Sequence, residues 1–172
     1  MIDISHLKIN KEIQSGLKKN KPIVALESTL ISHGLPYPEN INVAKKSIEA
    51  VRKNGSIPAT IAIINGKIKV GLNNRDIMIL GRNKNVHKIS RNNLSIAISN
   101  NYNGATTVAS SIFIASKLGI KFFSTGGIGG VHLGSEKTFD ISADLTELSK
   151  TKMFVVCSGA KTILDLDKTY EK

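Results

Sequence analysis

Short, uniformly apolar runs that end in clusters of Gly, Ser, Thr or charge constrain this chain most. Pro22 introduces Ile23-Val24-Ala25-Leu26, and Glu27-Ser28-Thr29 follow at once. Four apolar residues without alternation are the pattern of a strand buried on both faces, as in a parallel sheet. Lys121 to Phe123 runs into Ser124, Thr125 and the glycines between Gly126 and Gly130. Met153 to Cys157 runs into Ser158-Gly159-Ala160-Lys161. Helical patterns lie between these runs. Asn10 to Lys19 has Asn10 as its cap, with Ile13 and Leu17 on one face. Pro38 to Asn54 has Glu39 in its first turn and a stripe of Ile41, Ala44, Ile48 and Val51 before Gly55. Thr106 to Leu118, stopped by Gly119, and Ser142 to Lys150 are two more, and a last helix is expected from about Thr162. Thr60 to Ile64 and Lys67 to Val70 flank Asn65-Gly66, the dipeptide of a type I′ hairpin turn. Leu94 to Ile98 reads as a further strand.

Alternating strand and helix predicts an α/β protein, a three-layer α/β/α sandwich with a mostly parallel sheet. No repeat, linker or shift in composition divides the 172 residues, a length that suits one domain over 1–172. Sheets of this kind bind ligands beyond the carboxyl ends of their strands. A site is therefore expected where 27–29, 103–107, 124–130 and 158–161 converge.

The net charge of +11 raises nucleic acid as a partner. The lysines are scattered, no basic block interleaves with aromatics, and there is no Trp to stack on bases, so a solvated lysine-rich surface is the expected reading. The most apolar stretch, Val108 to Phe123, is broken by Lys117 and Lys121, whereas a membrane span needs about 20 apolar residues. Residues 1–6 carry no leader or transit pattern. The one cysteine, Cys157, allows no internal disulfide and suits a reducing compartment; inside its predicted strand it is expected to be a small core residue.

Lys161 should project from a strand end into the rim. An amine held in an apolar pocket there would be available to attack a carbonyl, whereas a lysine in the first turn of a helix would simply be a surface group. Glu27 is either a general acid with its pKa raised by burial or a carboxylate tied to loop amides. Asp144 fits a first helical turn, while Asp140 precedes the helix; with His132 and Glu136 they could hold a hard divalent cation. The glycines of 126–130 lack the spacing of a dinucleotide fingerprint, and Gly104-Ala105-Thr106-Thr107 is the better phosphate seat, next to a tight turn and a helix cap as the plain alternatives. His33-Gly34-Leu35-Pro36-Tyr37-Pro38 reads as a rigid loop, with His33 placed to line the rim.

Val24 to Thr29 with Ser32 to Pro38, then Ile57 to Ile61, Gly104 to Ser110, Gly126 to His132, Asp140 to Leu145 and Ser158 to Asp165 occur in one order along nearly the whole chain. Together they resemble the pseudouridine-5′-phosphate glycosidase family. The resemblance implies that fold with the family's C-terminal part missing and the sheet truncated at one edge. It implies reversible cleavage of pseudouridine 5′-phosphate to uracil and ribose 5-phosphate through a lysine Schiff base. Breaking a carbon–carbon glycosidic bond needs such an electron sink. By resemblance the nucleophile is Lys161, the acid Glu27 and the ligand of a manganese ion (Mn2+) Asp140. Lys88, Val108, Ser142, Ala143 and Asp144 would contact substrate, in a cytoplasmic homotrimer. Leu133 stands where the family has an arginine, and Asn100 to Asn103 replace its glycines. The alternatives are an inactive remnant that keeps a phosphate-binding rim, and a basic nucleic-acid-binding protein.

Overall fold

The computed structural model describes residues 6–172; residues 1–5, read above for a leader, lie outside it. β1 (Leu7–Ile9) precedes α1 (Lys11–Lys18), whose cap Asn10 accepts the Glu12 N–H at 2.9 Å. β2 (Ile23–Leu26) leads through a π turn at Leu30–Gly34 into α2 (Glu39–Lys53). β3 (Ile57–Ile64) and β4 (Lys67–Val70) form the expected antiparallel hairpin. Asn65 at φ 48° and Gly66 at φ 68° supply the two left-handed residues that a type I′ turn requires. There follow α3 (Asn74–Arg82), β5 (His87–Ile89), a 3-10 turn (Arg91–Asn93), α4 (Leu94–Ser99), β6 (Gly104–Thr106) and α5 (Val108–Lys117). The chain continues with β7 (Phe122–Ser124), α6 (Ser135–Thr138), α7 (Ala143–Lys150), β8 (Phe154–Val156) and α8 (Leu166–Glu171).

Among the described residues the strands make one eight-stranded sheet in the order β1-β4-β3-β2-β7-β8, with β6 also on β3 and β5 beyond β6. Most neighbours are parallel; β3 is antiparallel to β4 and β6. Side chains alternate across β3. Ala59, Ile61 and Ile63 pack with Ile13 of α1, Leu94 and Ala97 of α4 and Ile112 of α5. Ala62 and Ile64 face the opposite layer, with Ile41 and Ala44 of α2 and Ile77 and Leu80 of α3. The predicted three layers are present. No helix among the described residues is long and apolar enough to cross a membrane.

Several expectations are corrected. Leu94–Ser99 is helical, not a strand: Leu94 and Ala97 are buried at a spacing of three, while Ile96 is exposed. The turn before it is fixed by Ser90 and Asn93, which cap each other, the Ser90 N–H donating to Asn93 Oδ1 at 2.7 Å. Gly104–Thr106 is itself a strand, so α5 begins at Val108 rather than Thr106. The last helix starts at Leu166, capped by Asp165, which leaves Lys161 in a loop. Cys157 lies just past β8 and is half-buried, not core. α3, absent from the sequence reading, starts at a capping box between Asn73 and Asp76, and Lys69 Nζ meets Asp76 Oδ1 at 2.6 Å.

Candidate active site

β3 is long enough to carry two partners along one edge. Its first half pairs with β2 and its second with β6, running the other way, so the carboxyl ends of β2 and β6 meet at its middle. The seam is closed by side chains. Thr106 N–H donates to Ser28 Oγ at 2.8 Å, and Ser28 N–H to the Thr106 carbonyl at 3.2 Å. Thr29 Oγ1 donates to the same carbonyl at 2.8 Å, and Ser111 Oγ to Thr106 Oγ1 at 2.9 Å. Thr106 Oγ1 itself donates a hydrogen bond to the Ile61 carbonyl at 2.6 Å. Ser28, Thr106 and Ser111 are buried, so these hydroxyls are satisfied inside the protein.

Glu27 follows this seam, half-buried at the end of β2. Thr125, which follows the adjacent β7, donates its hydroxyl proton to Glu27 Oε1. Burial pushes the Glu27 carboxyl above its ordinary pKa. The Thr125 hydrogen bond and the charges of Lys161 and Lys88 pull it back, while Asp144 adds to the rise. Four of the expected residues thus share one electrostatic neighbourhood at the strand ends. Thr125 was not singled out in the sequence, although its place beyond an apolar run was the available signal.

Lys161 is exposed, not held in an apolar pocket. Its amide donates to the Ile128 carbonyl at 3.1 Å, and its stem rests on Gly127, where an added Cβ would come 3.2 Å from Lys161 Cγ. Lys88 is also exposed, on β5. Val108 is the buried first residue of α5. Ser142 caps α7, its Oγ accepting the Asp144 N–H at 3.2 Å, and Ala143 beside it is half-buried. His33 is exposed within the π turn.

Asp144 differs most from its sequence reading. Its side chain leaves its own helix and is buried, with Oδ1 accepting Ala109 N–H at 2.8 Å and Oδ2 accepting Gly129 N–H at 2.9 Å. The expected phosphate seat at the start of α5 is therefore taken at Ala109 by the chain's own carboxylate, and the Thr106 hydroxyl by the seam. Gly129 must be glycine here, since a Cβ would lie 2.2 Å from Ser142 Oγ and 2.8 Å from Asp144 Oδ2.

The expected cation cluster does not gather. Glu136 pairs with Lys168 at 3.0 Å, Asp144 is turned to amides, and exposed Asp140 lies 3.9 Å from the His132 ring. Among the described residues no three His, Cys, Asp or Glu side chains converge as metal ligands. An open depression of about 300 Å³ lies beside Ser142 and Ala143. Arg91 on its wall is held over the Phe113 ring at 3.6 Å and 3.7 Å from Glu147 Oε2, and nothing in the sequence marked it.

Residues 12–172 match the family described as indigoidine synthase A like protein. The chain belongs to that family. The pseudouridine-5′-phosphate glycosidase of Staphylococcus aureus (strain MW2) is 55% identical over 166 residues, covering 96% of this chain and 54% of that protein. The glycosidase of Escherichia coli (strain K12) is 57% identical over 166 residues, covering 96% and 53%. The crystal structure of the prealnumycin C-glycosynthase AlnA in complex with ribulose 5-phosphate superposes with a TM-score of 0.86 at 44% identity, covering 96% and 53%. An indigoidine synthase A-like protein from Thermotoga maritima gives 0.85 at 36% identity over the same shares. These matches bear out the resemblance read from the motifs and the layered α/β architecture. The chain spans about half the length of the relatives it matches.

Proposed function

We propose that this chain supplies the acid and the nucleophile of a pseudouridine-5′-phosphate glycosidase. One observation carries the reading: Glu27, desolvated at the end of β2, holds its proton more tightly than an ordinary carboxyl while lying in the field of Lys161. A proton-holding carboxyl beside an amine is the pair needed to open a sugar ring onto nitrogen. Lys161 Nζ bonds to the anomeric carbon as its bond to the ring oxygen breaks, and Glu27 gives that oxygen its proton. The nitrogen returns a proton to the Glu27 carboxylate, and its freed lone pair then forms the imine while the carbon–carbon bond to the base breaks. The base carbon takes a proton to give uracil, and water releases ribose 5-phosphate. Lys88, Val108, Ser142, Ala143 and Asp144 border the sugar phosphate in this reading, with residues 1–172 as one domain. The relatives' names and the ribulose 5-phosphate held by the C-glycosynthase support the substrate class.

Manganese on Asp140, a homotrimer and a cytoplasmic location belong to the same proposal, carried by the family resemblance alone. No step above runs through a metal. Binding of a sugar phosphate without turnover is the second reading, and the exposure of Lys161 favours it.

Borohydride added with ribose 5-phosphate tests the reading. It should reduce the imine and attach the sugar phosphate to one peptide, the one containing Lys161, among twenty lysines. Lys161→Arg should abolish the adduct, because a guanidinium stays protonated. Label spread evenly over the lysines of folded protein overturns the assignment.

A further inference from the structure

Away from the strand-end rim, a small cavity lies where α1, α2 and the first half of β3 meet. Asn10, Glu12, Ile48, Arg52, Thr60 and Gly71 are on its wall, and its volume is about 30 Å³. Thr60 is 4% exposed. Its carbonyl accepts the Gly71 N–H at 2.9 Å, so its backbone oxygen is answered within the protein. Its hydroxyl is not. Among the described residues, Thr60 Oγ1 is a buried side-chain oxygen with no hydrogen-bond partner. Thr106 makes the contrast, since its Oγ1 donates to the Ile61 carbonyl and accepts from Ser111. Buried hydroxyls are nearly always bonded, either to protein or to ordered water.

The rest of the wall decides what the hydroxyl can meet. Arg52 Nη1 and Nη2 donate to Glu12 Oε1 and Oε2 at 2.6 and 2.7 Å, a two-pronged pair that ties α2 to α1. The two side chains are 49% and 43% exposed, which puts the pair at the mouth. Asn10 Oδ1 accepts the Glu12 N–H at 2.9 Å and so fixes a carboxamide on the same wall. Guanidinium and carboxylate cancel each other's charge, so the wall favours a neutral guest over an ion. One water molecule occupies about 30 Å³ of the liquid and needs two to four polar partners when buried. A sugar or a base is several times too large. We propose that this cavity binds one water molecule, held by Thr60 Oγ1 and roofed by the Arg52–Glu12 pair. Asn10, Glu12 and Arg52 offer its remaining partners. The water then bridges β3 to the helices above it, at a site separate from Glu27 and Lys161.

High-resolution crystallography and oxygen-17 relaxation dispersion of water, both on the full chain, test this. A water peak within hydrogen-bonding distance of Thr60 Oγ1 is expected, together with a long-lived water in the dispersion. Thr60→Val keeps the shape of the side chain and should lose both signals. Thr60→Ser keeps the hydroxyl and should retain both. Arg52→Ala removes the roof from an exposed position and should shorten the water's residence at least tenfold. The proposal is overturned if the parent protein shows no water at Thr60 Oγ1. It is equally overturned if Thr60→Val leaves the peak and the dispersion unchanged, because the water is then held by other groups. An unchanged residence time in Arg52→Ala overturns the assignment of the roof.

Discussion

Asp144 accepts the Ala109 N–H at 2.8 Å, so the amide at the start of α5 that faces the strand ends is answered by a carboxylate 35 positions further on. The other oxygen takes the Gly129 amide, which makes one buried side chain the clasp between helix and glycine loop. Asp144→Asn keeps one acceptor and sets an NH2 group against the second N–H. The loss of a buried charge-assisted bond costs about 2 kcal/mol, or roughly 4–8 °C in Tm for a chain of this length. Thermal unfolding followed by circular dichroism checks it, and an unchanged Tm would show that the clasp carries no load.

Thr125→Val removes the hydroxyl donated to Glu27 and leaves the burial in place. The Glu27 carboxyl should then titrate at a higher pH than in the parent protein. Carbon-13 NMR of labelled glutamate reads this directly. A downward shift, or none, would contradict the assignment of Thr125.

Stability should carry the mark of Glu27 with a defined sign. Its folded pKa is raised above the usual 4.5, so between these values the folded state binds more protons than the unfolded one. Stability from this group is complete below the unfolded value and is lost as pH rises through the folded one. Glu27→Gln has no proton to lose, so its Tm should fall less than the parent's as pH is raised from 4 toward neutrality. Parallel melting curves across that range would refute the linkage.

Gly127 and Gly129 should separate chemistry from folding. A methyl at Gly127 meets the flexible stem of Lys161 at 3.2 Å, whereas one at Gly129 drives into Ser142 and the Asp144 clasp. Gly127→Ala should slow borohydride trapping while Tm stays within about 2 °C, and Gly129→Ala should cost about 1–3 kcal/mol by overpacking. Equal effects of the two on Tm would show that the loop acts as one unit.

The apolar run before Glu27, the Asn65-Gly66 turn and the glycine after α5 were legible because each rests on neighbouring residues. Where packing decides, the sequence misleads. Leu94 to Ile98 is as apolar as a strand, and only the capped turn at Ser90 and the burial of Leu94 with Ala97 make it a helix. β6 is three residues whose strand character comes from lying against β3. Asp144 looks like any first-turn acid, because nothing local says that its carboxylate will leave its own helix. For Lys161 the sequence leaves a desolvated amine and a surface lysine equally open, and no segment among the described residues covers it.

The hydrogen bond between Thr125 and Glu27 spans 98 positions of chain. Synthesis at roughly 5–20 residues per second puts about 5–20 s between the two. In that interval the β3–β4 hairpin and α2 have already emerged, while the acid stands without its hydroxyl partner. Asp144 and Lys161 come later still. The growing polypeptide therefore carries Glu27 through that interval without the neighbours that set its hold on a proton, and the acid of the rim is tuned only after Thr125 and Asp144 have joined it.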